Sequence, residues 1–165
     1  MKPLFFVLLL GYAALAAEFN SPGGQLAGRL EADAQGRLTW SLHRDARTLI
    51  APSPLGITID GVDLGQSAAV GAATVREIDE RYPWRGVKAE AVHRCRAYSL
   101  PLRHAASGLE WQLEVRVFDD GLAYRYHVPG HGARTVHGEA SGWVLPEEAG
   151  VWYQTNTGDY EGVYQ

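Results

Sequence analysis

The chain has 165 residues, with 15 Lys and Arg against 19 Asp and Glu and a formal net charge of -4. Its arginines are scattered rather than clustered, which argues against nucleic acid as a partner. Cys95 is the single cysteine, so an internal disulfide and a thiolate zinc centre are both excluded, and a small buried hydrophobe is its expected role.

Residues 1–16 have the make-up of a signal peptide. Lys2 supplies a positive start, Leu4 to Leu15 is an apolar run broken by Gly11, and Ala14-Leu15-Ala16 is the small-x-small pattern that a signal peptidase cuts after. The run is too short to span a bilayer, and no later run is long enough. The expectation is an exported protein without a membrane span, starting near Ala17 or Glu18. Roughly 149 residues then remain, enough for one domain that buries about two-thirds of its unfolded surface.

After a loop at Asn20-Ser21-Pro22-Gly23-Gly24 the pattern has period two. Leu26, Gly28, Leu30 and Ala32 alternate with polar neighbours, and beyond Asp33-Ala34-Gln35-Gly36 so do Leu38, Trp40 and Leu42. This predicts a hairpin with one dry and one wet face. Thr48 to Ala51 is a short strand, Pro52-Ser53-Pro54 is extended, and Asp60-Gly61 is a tight turn between Leu55–Ile59 and Val62–Gly65. Val70 to Ile78 reads as an edge segment, Asp79 to Gly86 as a charged aromatic loop, and Val87 to Leu100 as a long strand that Pro101 interrupts.

The firmest pair follows. Leu109, Trp111, Leu113, Val115 and Val117 alternate with Glu110, Gln112, Glu114 and Arg116, and after Asp119-Asp120-Gly121 the chain returns through Leu122, Tyr124, Tyr126 and Val128. A one-residue slip would bury Glu114 and Arg116. Trp40 and Trp111 belong to the core. Arg134 to Ala140 and Trp143 to Leu145 are further strands, and no stretch of the mature chain sustains a helical period. The expected fold class is all-β, an antiparallel sandwich.

The last segment, 150–165, gathers Trp152, Tyr153, Tyr160 and Tyr164 with Asp159 and Glu161. Rings with polar tips beside hard oxygen ligands suit a sugar or a calcium ion, and equally an ordinary loop. The chain ends at Gln165 without a terminating turn, so the expectation is a sandwich truncated at its C-terminal end.

Three runs carry a resemblance. Pro52 to Gly65, reading Pro-Ser-Pro-Leu-Gly-Ile-Thr-Ile-Asp-Gly-Val-Asp-Leu-Gly, resembles the opening of the N-terminal domain of glycoside hydrolase family 97. Arg81-Tyr82-Pro83-Trp84-Arg85-Gly86 and Phe118-Asp119-Asp120-Gly121-Leu122-Ala123-Tyr124-Arg125-Tyr126 support it in order and spacing. The resemblance covers the chain from about Ser21 to its end. It implies bacterial, exo-acting α-glycosidases, mostly α-glucosidases and some α-galactosidases, exported to the periplasm or beyond and acting on oligosaccharides. It also implies an N-terminal β-super-sandwich, here residues 17–165, and a catalytic (β/α)8 barrel that supplies the acid and base or nucleophile. That barrel is absent from these residues, so no catalytic residue is assigned and the segment alone is expected to be inactive. The resemblance further implies a calcium ion near the active site with one carboxylate from the sandwich, matched to Glu161 in Tyr160-Glu161-Gly162.

By composition alone Glu161 is a solvated loop carboxylate, and only the resemblance makes it a metal ligand. Trp152 and Tyr160 are the sugar-stacking candidates; with Trp84 and Tyr153 they serve equally well as rings packed against the barrel. One rival reading is a free-standing carbohydrate-binding module using the tail aromatics. Another is an aldose-epimerase-like super-sandwich enzyme, with His93 or His127 as acid or base beside Glu90 or Glu114.

Overall fold

A computed structural model describes residues 16–153. Twelve strands follow in chain order: β1 (Ala17–Asn20), β2 (Leu26–Ala32), β3 (Leu38–Arg44), β4 (Arg47–Pro54), β5 (Ile57–Ile59) and β6 (Val62–Asp63). They continue as β7 (Ala68–Val70), β8 (Thr74–Pro83), β9 (Glu90–His104), β10 (Glu110–Val117), β11 (Leu122–His127) and β12 (Val136–Glu139). All pairings are antiparallel, and the described residues form no helix.

One sheet has the order β1-β2-β3-β4, and a second has β11-β10-β9-β7 with β8 also paired to β9. A small third sheet, β12-β5-β6, stands beside them. The two larger sheets share a core. Leu26, Leu30, Leu38, Trp40 and Leu42 from the first meet Leu100, Leu102, Trp111, Leu113, Val115 and Val117 from the second. Edge-to-face pairs join them, with Phe19 and Tyr98 centroids 5.3 Å apart and Trp40 and Tyr124 5.6 Å apart. The fold is an all-β antiparallel sandwich, as the alternation predicts.

The β2–β3 hairpin has the expected register, with Leu30 opposite Trp40. Its turn is held by Asp33, whose Oδ1 accepts from Gln35 N at 2.9 Å and Arg37 N at 2.8 Å. The β5–β6 turn places Asp60 at φ 51° and Gly61 at φ 81°, the paired left-handed geometry that makes Asp-Gly a hairpin signal. Gly56 and Gly65 at the base of that hairpin press backbone on backbone. A Cβ on Gly65 would strike the Leu55 carbonyl oxygen and lie 2.8 Å from Gly56 Cα. From there Leu38 N donates to Gly65 O at 2.8 Å and Gly56 N to Tyr126 Oη at 3.1 Å, tying the hairpin to both sheets.

Five local expectations are corrected. Trp143 to Leu145, expected as a strand, forms only an isolated bridge from Val144 to Ala51. Ala17–Asn20, not predicted as a strand, pairs with β2 as an edge. The segment expected to run from Val70 to Ile78 divides into β7 and β8, which pair with separate stretches of β9. Residues 79–83, expected in a loop, continue β8, because each pairs with a residue of β9 between Arg94 and Glu90. β9 also passes through Pro101 without a break. The Pro101 carbonyl accepts from Gly71 N at 2.8 Å, so its nitrogen faces the same side, where β7 has ended and β8 has not begun. The missing N–H falls where no partner requires it.

β10 pairs with β9 only as far as Arg96. The outer halves of β8 and β9 therefore extend past it as a two-stranded ribbon tipped by residues 84–89, and most residues of β8 are exposed.

Candidate functional site

Of the predicted site residues, Trp152 lies within the described residues, whereas Tyr160 and Glu161 lie outside them. The approach to Trp152 is well anchored. Gly142 N donates to Pro54 O at 3.0 Å, Trp40 Nε1 to Gly142 O at 3.3 Å, and Val144 N to the Ser53 hydroxyl at 2.8 Å. Ala51 N completes the seam by donating to Val144 O at 2.8 Å. The chain from β12 to Val144 is thus a strap laid across the end of the sandwich.

A partly buried polar relay supports it. The Ser141 hydroxyl donates to Glu139 at 2.6 Å, so Tyr126 Oη donates to Ser141 at 2.6 Å while accepting from Gly56 N. Burial pushes the Tyr126 phenol well above its ordinary range, and it remains a neutral donor.

Past this anchor the side chains turn outward. Trp143, Val144, Leu145, Val151, Trp152 and Tyr153 are all exposed, Trp152 at 82%. So many apolar groups in one strap exceed the scattered exposure of an ordinary surface and mark a face that something covers.

Trp84, 59% exposed, sits at the tip of the β8–β9 ribbon, its ring 6.3 Å from Tyr82 in an edge-to-face pair. Asp79, Glu80 and Arg81 lie on β8, and Arg81 Nη1 pairs with Glu90 Oε2 at 3.0 Å. Trp40 and Trp111 are in the core as expected, Trp111 at 1% exposure. Cys95 is also the expected buried thiol, at 0% exposure. It packs with Ile78, Ala97 and Phe118 on the outer side of the five-stranded sheet, and burial raises its pKa despite the nearby Arg116 and Arg76.

The acid–base pairs of the epimerase-like reading do not assemble. His93 is stacked on Phe118 with centroids 5.5 Å apart, with Nε2 3.5 Å from Cys95 Sγ and Nδ1 3.6 Å from Glu80. Glu90 is engaged by Arg81. His127 and Glu114 share the outer sheet face, since their partners across the β10–β11 ladder are Gln112 and Arg125. Both carboxylate oxygens of Glu114 are nonetheless held. Oε1 accepts from Arg116 Nε at 3.0 Å and Oε2 from Arg125 Nε at 2.6 Å. Burial pushes the Glu114 pKa up, the hydrogen bonds from Arg125 and Arg116 outweigh it, and the carboxyl stays below its ordinary range. A carboxylate so committed has no proton to donate at neutral pH.

The other resemblance motif is also architectural. Asp119 Oδ1 accepts from Gly23 N at 2.6 Å and its carbonyl accepts from Arg44 Nη2 at 3.1 Å, binding the β10–β11 turn to the first sheet. The sequence reading did not single out the polar outer face of the five-stranded sheet as a site. Its signal was the polar half of the alternation in β10, which by itself marks only a wet face.

The sandwich, its end strap and the exposed apolar run define an all-β domain with one apolar face at its end. The sequence matches the family described as Glycosyl-hydrolase 97 N-terminal over residues 19–165, and the chain belongs to that family. It is 36% identical over 138 residues to a "Probable retaining alpha-galactosidase" of Streptomyces bingchenggensis, covering 82% of this chain and 21% of that protein. It is 29% identical over 175 residues to a "Retaining alpha-galactosidase" of Bacteroides thetaiotaomicron, covering 99% of this chain and 26% of the relative. The chain thus spans about a quarter or less of the curated relatives it matches.

Among solved structures, the fold is similar to a beta-arabinopyranosidase, with a TM-score of 0.73, 23% identity, and coverage of 79% of this chain and 21% of that one. It is also similar to a Glycoside Hydrolase Family 97 enzyme from a Pseudoalteromonas species in complex with panose. That match has a TM-score of 0.71, 18% identity, and coverage of 79% and 20%.

Proposed function

We propose that this chain serves an exported, exo-acting α-glycosidase as its N-terminal supporting domain, packing the apolar strap Trp143–Tyr153 against a catalytic barrel in the same parent protein. The observation that carries this is the strap itself, anchored to β4 and β5 and exposing its large apolar side chains outward, in a chain of this family. Rings with one dry and one wet side are typical of such interfaces. The substrates are oligosaccharides with terminal α-linked sugars. Two relatives known as retaining alpha-galactosidases favour galactosides over the glucosides suggested by the resemblance. The leader-like residues 1–16 support export to the periplasm or beyond.

Glu161 is the proposed calcium ligand of this chain. Calcium takes roughly six to eight oxygen ligands, and among the described residues no three metal-ligating side chains gather. On the family resemblance, Glu161, its neighbour Asp159 and groups on the barrel would supply the donors. A bound calcium ion would supply Lewis-acid stabilisation of developing charge, and Glu161 would orient it from the sandwich side.

The test uses the full-length parent protein, with calcium titrated calorimetrically into wild type and Glu161→Gln and hydrolysis followed on nitrophenyl α-galactoside and α-glucoside. A tenfold or greater loss of calcium affinity in the variant, with galactoside turnover in wild type, is the expected result. Equal calcium affinity in the two proteins removes the ligand assignment, and turnover of neither substrate removes the glycosidase reading. The exposure of Trp152 favours one alternative, a carbohydrate-binding module. Oligosaccharide affinity that survives without the rest of the parent and disappears in Trp152→Ala would replace the first reading by that one.

A further inference from the structure

We infer that the outer face of the five-stranded sheet is a binding site for an acidic sugar, its carboxylate clamped between Arg76 and Arg116. The register dictates the arrangement. Arg76 on β8 lies opposite Ala97 on β9, and Ala97 lies opposite Arg116 on β10. Strands stand about 4.8 Å apart, so the two arginines start roughly 10 Å apart on one face, with only a methyl group between them. Ala97 is 5% exposed and forms the floor. The next row of the same face reads Thr74, Ser99, Glu114 and Arg125.

Glu114 prepares the clamp. It takes the Nε and Nη2 edge of both Arg116 and Arg125, which fixes those guanidinium planes and leaves their remaining N–H groups free to donate. Arg76 has no ion pair among the described residues. Three guanidiniums against one carboxylate leave a net positive groove lining on a molecule whose formal charge is -4. That excess, with planar forks directed into a groove, selects an oxyanion.

The groove extends beyond the clamp. Its volume is about 570 Å³, and its lining away from the arginines includes Thr74, Ser99, Gln112 and His127. Hydroxyl, amide and imidazole groups both donate and accept, which suits the alternating hydroxyls of a sugar ring. These neutral polar groups lie beside the arginines in the same groove, so an anion held there has polar partners for a body larger than itself. The sugar half of this inference rests on the family reading, whereas the arginine clamp rests on the register alone.

Isothermal titration of the full chain with D-glucuronate, D-glucose and inorganic sulfate at low ionic strength tests it. Glucuronate is expected to bind, to weaken as salt is added, and to exceed both glucose and sulfate by at least tenfold. Arg76 is exposed, so Arg76→Gln should keep the wild-type thermal midpoint while losing at least tenfold in glucuronate affinity. Ser99→Ala should lose a few-fold. No glucuronate binding to wild type, unchanged affinity in Arg76→Gln, or glucose binding as tightly as glucuronate overturns the site. Sulfate binding as tightly as glucuronate overturns its assignment to a sugar. None of these readings depends on hydrolysis or calcium, so failure here and failure of the glycosidase reading are separable.

Discussion

The two faces of the five-stranded sheet are made by the same strands and differ in almost everything else. On the inner face Leu100, Leu102, Trp111, Leu113, Val115 and Val117 are buried against the first sheet. On the outer face the intervening residues include Ser99, Glu114 and Arg116, joined by Arg76 and Arg125 from the flanking strands. The inner face is held by removal of apolar surface from water, which is non-directional and large. The outer face is held by ion pairs in partial contact with solvent, which fix geometry while contributing little stability. Substitutions on the two faces should therefore separate stability from binding.

The largest expected effect is on the inner face. Trp111→Ala should destabilise by about 3–5 kcal/mol, the cost of a buried aromatic and its cavity, read as a lower midpoint in urea unfolding. Next is the polar relay at the sandwich end. Tyr126→Phe leaves the Gly56 N–H without its 3.1 Å acceptor and should cost about 1–3 kcal/mol. Hydrogen exchange at the Gly56 amide should rise by more than global unfolding explains.

The rim follows. The Gly23 N–H and the Ser21 hydroxyl hold the Asp119 pKa below its ordinary value. A carboxyl depressed in the folded state stabilises above its unfolded pKa, about 4, and that stabilisation disappears as the pH falls through the folded value. Wild type should thus melt above Asp119→Asn at pH 7, and the difference should shrink below about pH 4. Equal midpoints at both pH values would deny the turn its anchor.

The smallest stability effect belongs to the outer face. Arg125→Ala removes a largely exposed arginine from its pair with the half-buried Glu114, which keeps Arg116, and should cost less than about 1 kcal/mol, shrinking in high salt. A large loss there would mean that the outer face supports the fold and that the contrast between the faces is wrong.

Much of the inner face was legible in the chain. Trp40 and Trp111 sit at alternating apolar positions, and both are in the core. The β5–β6 turn at Asp60-Gly61 was legible because only a few residue types tolerate its backbone. Residues 79–83 were misread as a loop because a ribbon exposed on most of its length has no apolar alternation to display. Pro101 was read as a break, but a missing N–H counts only where a strand needs it, and on the side its nitrogen faces β7 has ended and β8 has not begun. Trp152, singled out as an aromatic of the tail segment, is exposed in the structure. The roles of Gly56 and Gly65 were not legible, since nothing local in a glycine says which backbone lies against it.

What the sequence alone determined is local: strand period, turn chemistry, the wet and dry sides of each strand, and a family likeness carried by three short runs. What only the tertiary structure decided is which polar rows face one another. Arg76, Ala97 and Arg116 are neighbours through two registers joining three strands. Alternation is a property of one strand, whereas register is chosen when distant strands pack their apolar sides into a common core. The outer row is a consequence of that choice, and no single strand encodes it.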